Sequence, residues 1–132
     1  MLKIYIDAAT HPKKKISAGG MVIISNGTQT QIKVDIDAPN NHLAEFKMLE
    51  YALNYCVTQK MNNQTLYLYS DSKIVVQSVE KHHVQHADFK SVFKQIQELL
   101  LQFDLYFIQW IPEKENLGAD QLAKQALRKR LG

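Results

Sequence analysis

The chain changes rhythm once, and that change constrains its fold more than any other feature. Up to residue 36 the chain reads as short strands, with a period of two in 1–8 and polar alternation in 28–36. After Pro39 apolar residues recur at spacings of three and four, in segments that alternate with short strand-like runs. Residues 1–8 set Leu2, Ile4 and Ile6 against Lys3, Tyr5 and Asp7, which predicts a strand. Residues 19–25 (GGMVIIS) predict a second strand, and Asn26-Gly27 is a strong hairpin turn signal. Residues 28–36 (TQTQIKVDI) return as a third strand, whose polar alternation suits a sheet edge. Pro39-Asn40-Asn41 breaks the pattern and places Asn41 to cap a helix.

The second half reads differently. Over 42–58, Leu43, Phe46, Leu49, Leu53 and Val57 share one helical face. Residues 65–71 (TLYLYSD) are a strand, and a short helix with Ile74, Val75 and Val79 starts near Ser72. EKHHVQHA reads as a connector. Residues 88–101 form a helix carrying Phe89, Val92, Phe93, Ile96 and Leu100, and 104–111 (DLYFIQWI) form a fifth strand. Pro112 ends that strand, a polar loop comes next, and a last helix runs from Leu117 to Arg130. The expectation is an α/β fold: a mixed five-stranded sheet, three strands antiparallel and then two parallel, with helices on both faces. Crossovers into the fourth and fifth strands should be right-handed, and a site should form beyond the carboxyl ends of the parallel strands.

Composition adds bounds. The 132 residues, 45% hydrophobic and 22% charged, suit one domain over 1–132 with a real core. The net charge of +3 permits a polyanionic partner without requiring one. Cys56, the only cysteine, falls on a helical apolar stripe and reads as a small buried hydrophobe. MLKIYIDAAT opens as a strand, not a signal peptide, and no apolar run approaches membrane-spanning length. The expected setting is cytoplasmic, with no membrane and no obligatory protein partner.

Four acids stand where surface charge is a poor explanation. Asp7 and Asp71 end apolar strands, each two residues after a Tyr. At roughly 100° per residue, Glu45 falls near Ala52 and Cys56 on one flank of its helix's apolar stripe, with Glu50 on the other flank. Asp120 lies about 20° from Leu127, beside the stripe of Ala119, Leu122, Ala123 and Ala126. Singly, each reads as a turn cap or a rim charge. Together they would meet at one edge of one sheet. Burying so much like charge costs on the order of several kcal/mol, so a counter-cation is expected, with Mg²⁺ first.

With those positions in view the sequence becomes recognisable. DAAT after a first strand, HLAEFKMLEYAL in the first helix, YSDS opening the second and WIPEKENLGADQLAKQAL at the end resemble the type 1 ribonuclease H family, over nearly the whole chain. The resemblance implies the ribonuclease H fold and an acidic quartet of Asp7, Glu45, Asp71 and Asp120. These would hold two Mg²⁺ ions, with Mn²⁺ as substitute, and hydrolyse the RNA strand of an RNA–DNA hybrid. Asp7 would bridge both ions, Asp120 would hold the ion that activates water, and Glu45 and Asp71 the ion at the leaving 3′-oxygen. Substrate contacts are expected from Ala8, Asn41, Ser72 and Asn116, and from Lys13, Lys14 and Lys15 as phosphate contacts.

The chain departs from the family in three places. Many members carry a His in the loop before the last helix; here that loop reads PEKENLG, and none of the five His lies in it. The first Asp is followed by Ala8 rather than Gly, and HPKKKISAGG is poorer in glycine than the usual loop. The segment after Asp71 is short, without a basic helical handle. The expected enzyme is therefore slow, with Lys114 or Glu115 standing near the missing His. A catalytically weak or silent nucleic-acid-binding protein on the same fold is the rival reading. A transposase- or integrase-like nuclease is the third, weakened by the four-acid pattern. His82 and His86 have metal-ligand spacing but no third ligand nearby, and Lys124, Arg128, Lys129 and Arg130 suit the last helix's dipole.

Overall fold

In the computed structural model, which describes residues 1–132, five strands form one sheet in the order β3-β2-β1-β4-β5. They are β1 (Leu2–His11), β2 (Ile16–Ser25), β3 (Thr28–Ile36), β4 (Leu66–Ser70) and β5 (Tyr106–Trp110). The first three pair antiparallel, while β1/β4 and β4/β5 pair parallel, as the change of rhythm predicts. The helices are α1 (Asn41–Thr58), α2 (Lys73–Lys81), α3 (Lys90–Leu100) and α4 (Leu117–Leu131), with single 3₁₀ turns at Ala87–Phe89 and Glu113–Glu115. No helix is long and apolar enough to cross a membrane.

Local details correct the sequence reading in four places. β1 and β2 are longer than their apolar alternation, because Thr10 pairs with Ser17 and His11 with Ile16 through backbone bonds that composition does not reveal. The loop expected over HPKKKISAGG shrinks to a turn over 12–15, closed by Lys15 at φ 54°. The α1 cap is Asn40, whose side chain accepts from the Leu43 N–H at 2.9 Å, and not Asn41. Finally, α2 continues into the expected connector as far as Lys81 and stops at His82 in the left-handed region. The Asn26-Gly27 turn is as expected, both residues having positive φ.

The two faces of the sheet are packed in different ways. Successive residues of β2 point to opposite sides. A Cβ on Gly19 would strike Met48 of α1, and one on Gly20 would strike the α4 backbone, so α1 and α4 lie on opposite faces. The α1 face, shared with α2 and α3, holds a core cluster of 26 buried residues, with Phe46, Leu49, Leu53, Leu66 and Ile96 fully buried. Phe46 packs against Phe89 and Phe93 with ring centroids 4.9 and 6.4 Å away. Cys56 is buried in this cluster, and burial pushes its thiol up to about 12. The α4 face is lined by small residues instead: Ala18, Gly20 and Val22 of β2 under Ala119, Leu122 and Ala123.

Candidate active site

Asp7 lies in mid-strand, not at a strand end as the alternation predicts, because β1 runs on to His11. Its special place comes from its neighbours. Ile6 opposite Ser70 is the last parallel pair of β1 with β4, so beyond it β1 has a strand only on the β2 side. Asp7 is the first residue past that parting of the strands, and Asp71 is the first residue past β4. Below them, Tyr5 and Tyr69 stack with centroids 4.7 Å apart and make a floor.

On its β2 side Asp7 pairs with Gly20. A Cβ at Gly20 would lie 2.6 Å from the Ala119 carbonyl oxygen and 2.7 Å from the Ala123 nitrogen. The first turn of α4 thus rests directly on the backbone opposite Asp7, and Asp120 arrives beside it. Three acids from three elements meet on the α4 face. Glu45 reaches the same edge from α1, on the opposite face, and is held there by donors. The Ser72 hydroxyl donates to it at 2.7 Å and the Asn41 amide at 2.9 Å, with the His42 ring 3.6 Å away.

Electrostatics separate the four. Burial raises Asp7 to about 8, helped by the Asp71 charge and the neighbouring Asp120, against a smaller lowering from the Ala8 N–H. Burial also raises Asp71, opposed by the Asn116 amide and reinforced by Glu113 and Asp120. Glu45 is raised by burial and relieved by Ser72 and His42. Lys124 Nζ pairs with Asp120 at 3.0 Å, and that carboxylate holds the exposed ammonium above its ordinary range.

The expected substrate contacts divide. Ala8 gives its N–H to Asp7 Oδ1 at 2.9 Å. Ser72 caps α2 and is occupied by Glu45, and Asn41 joins Glu45 to Thr10, so both brace the site. Asn116 is 1% exposed, and its amide donates to the Ile6 carbonyl at 2.8 Å. Lys13, Lys14 and Lys15 sit exposed on the β1–β2 turn, away from any carboxylate partner. Sequence reading missed three participants. Lys124 and His42 carried a signal, in their spacings of four from Asp120 and three from Glu45. Trp110, whose indole N–H donates to the Asp71 carbonyl at 3.0 Å beneath the Lys73 ammonium, carried none.

The donor set suits a hard divalent cation: anionic oxygens only, of which Asp7 resists ionising without a counter-charge. As they stand, no three His, Cys, Asp or Glu side chains group closely enough to hold an ion.

A family model described as reverse transcriptase-like matches residues 5–126. The EbsB protein of Enterococcus faecalis is 42% identical over 129 residues, covering 98% of this chain and 96% of EbsB. The N-terminal RNase H domain of Rv2228c from Mycobacterium tuberculosis, solved as a fusion with maltose-binding protein, superposes with a TM-score of 0.86. It is 26% identical, over 97% of this chain and 94% of that one. LC11-RNase H1, solved in complex with an RNA/DNA hybrid, superposes at 0.88 over the whole of both chains; at 22% identity it speaks for the fold.

Proposed function

The chain belongs to the reverse transcriptase-like family and is a hydrolase of ribonuclease H type, and from that premise we propose that it cleaves the RNA strand of RNA–DNA hybrids with two divalent ions. The observation that carries this reading is the meeting of Asp7, Asp71 and Asp120 where β1 and β4 part, with Asp7 raised to about 8 by burial and by the Asp71 charge. Mg²⁺ is the proposed ion and Mn²⁺ its substitute.

In this reading Asp7 and Asp120 would hold a divalent ion on the water side, and Asp7, Glu45 and Asp71 one on the leaving-group side. Bound there, divalent ions would supply charge stabilisation for the attacking and leaving oxygens of an in-line displacement. The protein's own part is to fix the carboxylates. Gly20 lets α4 close on Asp7, Ser72 and Asn41 hold Glu45 at the rim, and Lys124 offsets the charge of Asp120. The products would be a 5′-phosphate and a 3′-hydroxyl. The hybrid's RNA strand would be read through its 2′-hydroxyls in the minor groove. Beside Glu45 lies a cleft of about 540 Å³ lined by Asn40, His42, Lys81, His83 and His86, whose donors suit the phosphates of the second strand. Lys13, Lys14 and Lys15 would add screening-sensitive phosphate contacts from the hairpin turn.

The test is a labelled RNA–DNA hybrid incubated with Mg²⁺ or Mn²⁺, beside single-stranded RNA and duplex DNA. Cleavage confined to the RNA of the hybrid and lost in Asp71→Asn is the expected result. Two observations favour a second reading, binding without efficient cleavage: the turn Glu113–Glu115 holds no His, and Glu45 is committed to hydrogen bonds. Hybrid retention at low salt without cleavage above the Asp71→Asn control would install that reading instead.

A further inference from the structure

We infer that Asn116 is a positioning residue that joins β1, the end of β4 and the start of α4 where they carry Asp7, Asp71 and Asp120. The inference rests on the metal-dependent reading above. Asn116 Nδ2 donates to the Ile6 carbonyl at 2.8 Å, in the residue just before Asp7. The same nitrogen lies 3.4 Å from Asp71 Oδ2. Its backbone carbonyl accepts the Asp120 N–H at 3.0 Å and so opens α4. One residue therefore touches β1, the end of β4 and the first turn of α4, at the point where each presents its acid.

Two observations show that the side chain is committed to this joint and not to capping the helix. Asn116 occupies the N-cap position of α4, yet its side chain makes no capping bond. Asn is favoured at that position because its oxygen accepts an N–H from the first turn, and here that role is forgone. In addition, Asn116 Oδ1 is buried without any hydrogen-bond partner, the only side-chain atom of the protein so left. The Ile6 carbonyl can only accept, which fixes the donor end of the amide toward β1 and strands the oxygen. A buried acceptor left unpaired is destabilising, and an apolar side chain would only move the penalty to the Ile6 carbonyl, which would lose its donor. A serine would cap the helix. What neither would do is hold Ile6 and Asp71 at one nitrogen. Groups that orient metal-binding side chains commonly change metal affinity or activity about 10–100-fold when removed.

The experiment compares wild type with Asn116→Leu and Asn116→Ser. Asn62→Ala serves as a control, because Asn62 also donates an amide to a backbone carbonyl, that of Gln102, far from the acids. Mn²⁺ affinity is measured by calorimetry, the melting temperature in EDTA, and kcat and KM on a labelled hybrid. For both Asn116 variants the expected result is cooperative melting in EDTA, at or modestly below the wild-type temperature. Their Mn²⁺ dissociation constant should rise about tenfold or more, and kcat should fall at unchanged KM. The control should lose stability only. Mn²⁺ affinity within twofold of wild type in both variants overturns the inference. So does loss of cooperative melting in EDTA by both, which would make Asn116 a residue of the fold. A wild type that binds Mn²⁺ without cleaving hybrid removes the hydrolytic reading and leaves the calorimetry to decide this one; a wild type that binds no Mn²⁺ removes both.

Discussion

The two faces of the sheet solve opposite problems. Toward α1, large side chains such as Phe46, Leu49 and Leu53 fill space between backbones, and that face carries most of the buried apolar surface. Toward α4, glycine and alanine remove side chains so that backbones approach, and that approach delivers Asp120 to Asp7. One face is built for burial, the other for closeness. Glu45 is the exception that proves the division useful: it crosses from the α1 face and needs three polar neighbours to hold it at the shared edge.

The sharpest break between the faces is electrostatic. Asp7→Asn should abolish hybrid cleavage while raising the melting temperature in EDTA, because it removes a carboxyl that burial disfavours as an anion. The sign comes from linkage. The folded pKa of about 8 lies above the ordinary 3.8, so the folded state holds the extra proton, and wild-type stability in EDTA should fall as pH rises from about 4 to about 8. The Asn variant should show a flatter profile over that range, and matching profiles would dissolve the clustered site.

Phe46→Ala tests the other face. It should cost about 3–5 kcal/mol in denaturant unfolding, with the surviving folded protein keeping its Mn²⁺ affinity. A parallel loss of affinity would mean that the α1 face also tunes the site. Gly20→Ala should cost less, about 1–3 kcal/mol, since its Cβ would meet backbone atoms of α4 that cannot move aside cheaply. Unlike Phe46→Ala, it should weaken Mn²⁺ binding, because α4 must lift away from Asp7. The smallest effect on stability is expected at the loop. Lys114→His should raise turnover on hybrid with little change in KM, as proton transfer by a positioned side chain typically contributes up to about 10²–10⁴-fold. No gain in turnover would place the limit elsewhere than in proton transfer.

Much of the fold was legible in residue order. Periodicity gave the strand and helix succession, and Asn26-Gly27 gave its hairpin. Local patterns also marked Glu45 and Asp120 as acids beside apolar stripes. What escaped is what depends on backbone partners far away in sequence. The extension of β1 past Asp7 rests on pairing with Ser17 and Ile16, which no local pattern marks. The cap at Asn40 rather than Asn41 turns on a one-residue shift between identical side chains. Asn116 reads as a surface loop residue because its partner, Ile6, is 110 positions away. Trp110 looks like core material until its indole is seen bonded to the backbone of Asp71.

That last bond makes the protein its own optical instrument. Trp110 is the only tryptophan in the chain, and its emission has no second source to separate. Its ring is partly exposed, lies 5.1 Å from the Lys73 ammonium and is tethered to the residue that binds on the leaving-group side of the proposed site. A cation or phosphate that reached the proposed site and moved Asp71 would change that hydrogen bond and the local field at the indole together. Its arrival would then be followed as a change in fluorescence, in real time and without a label.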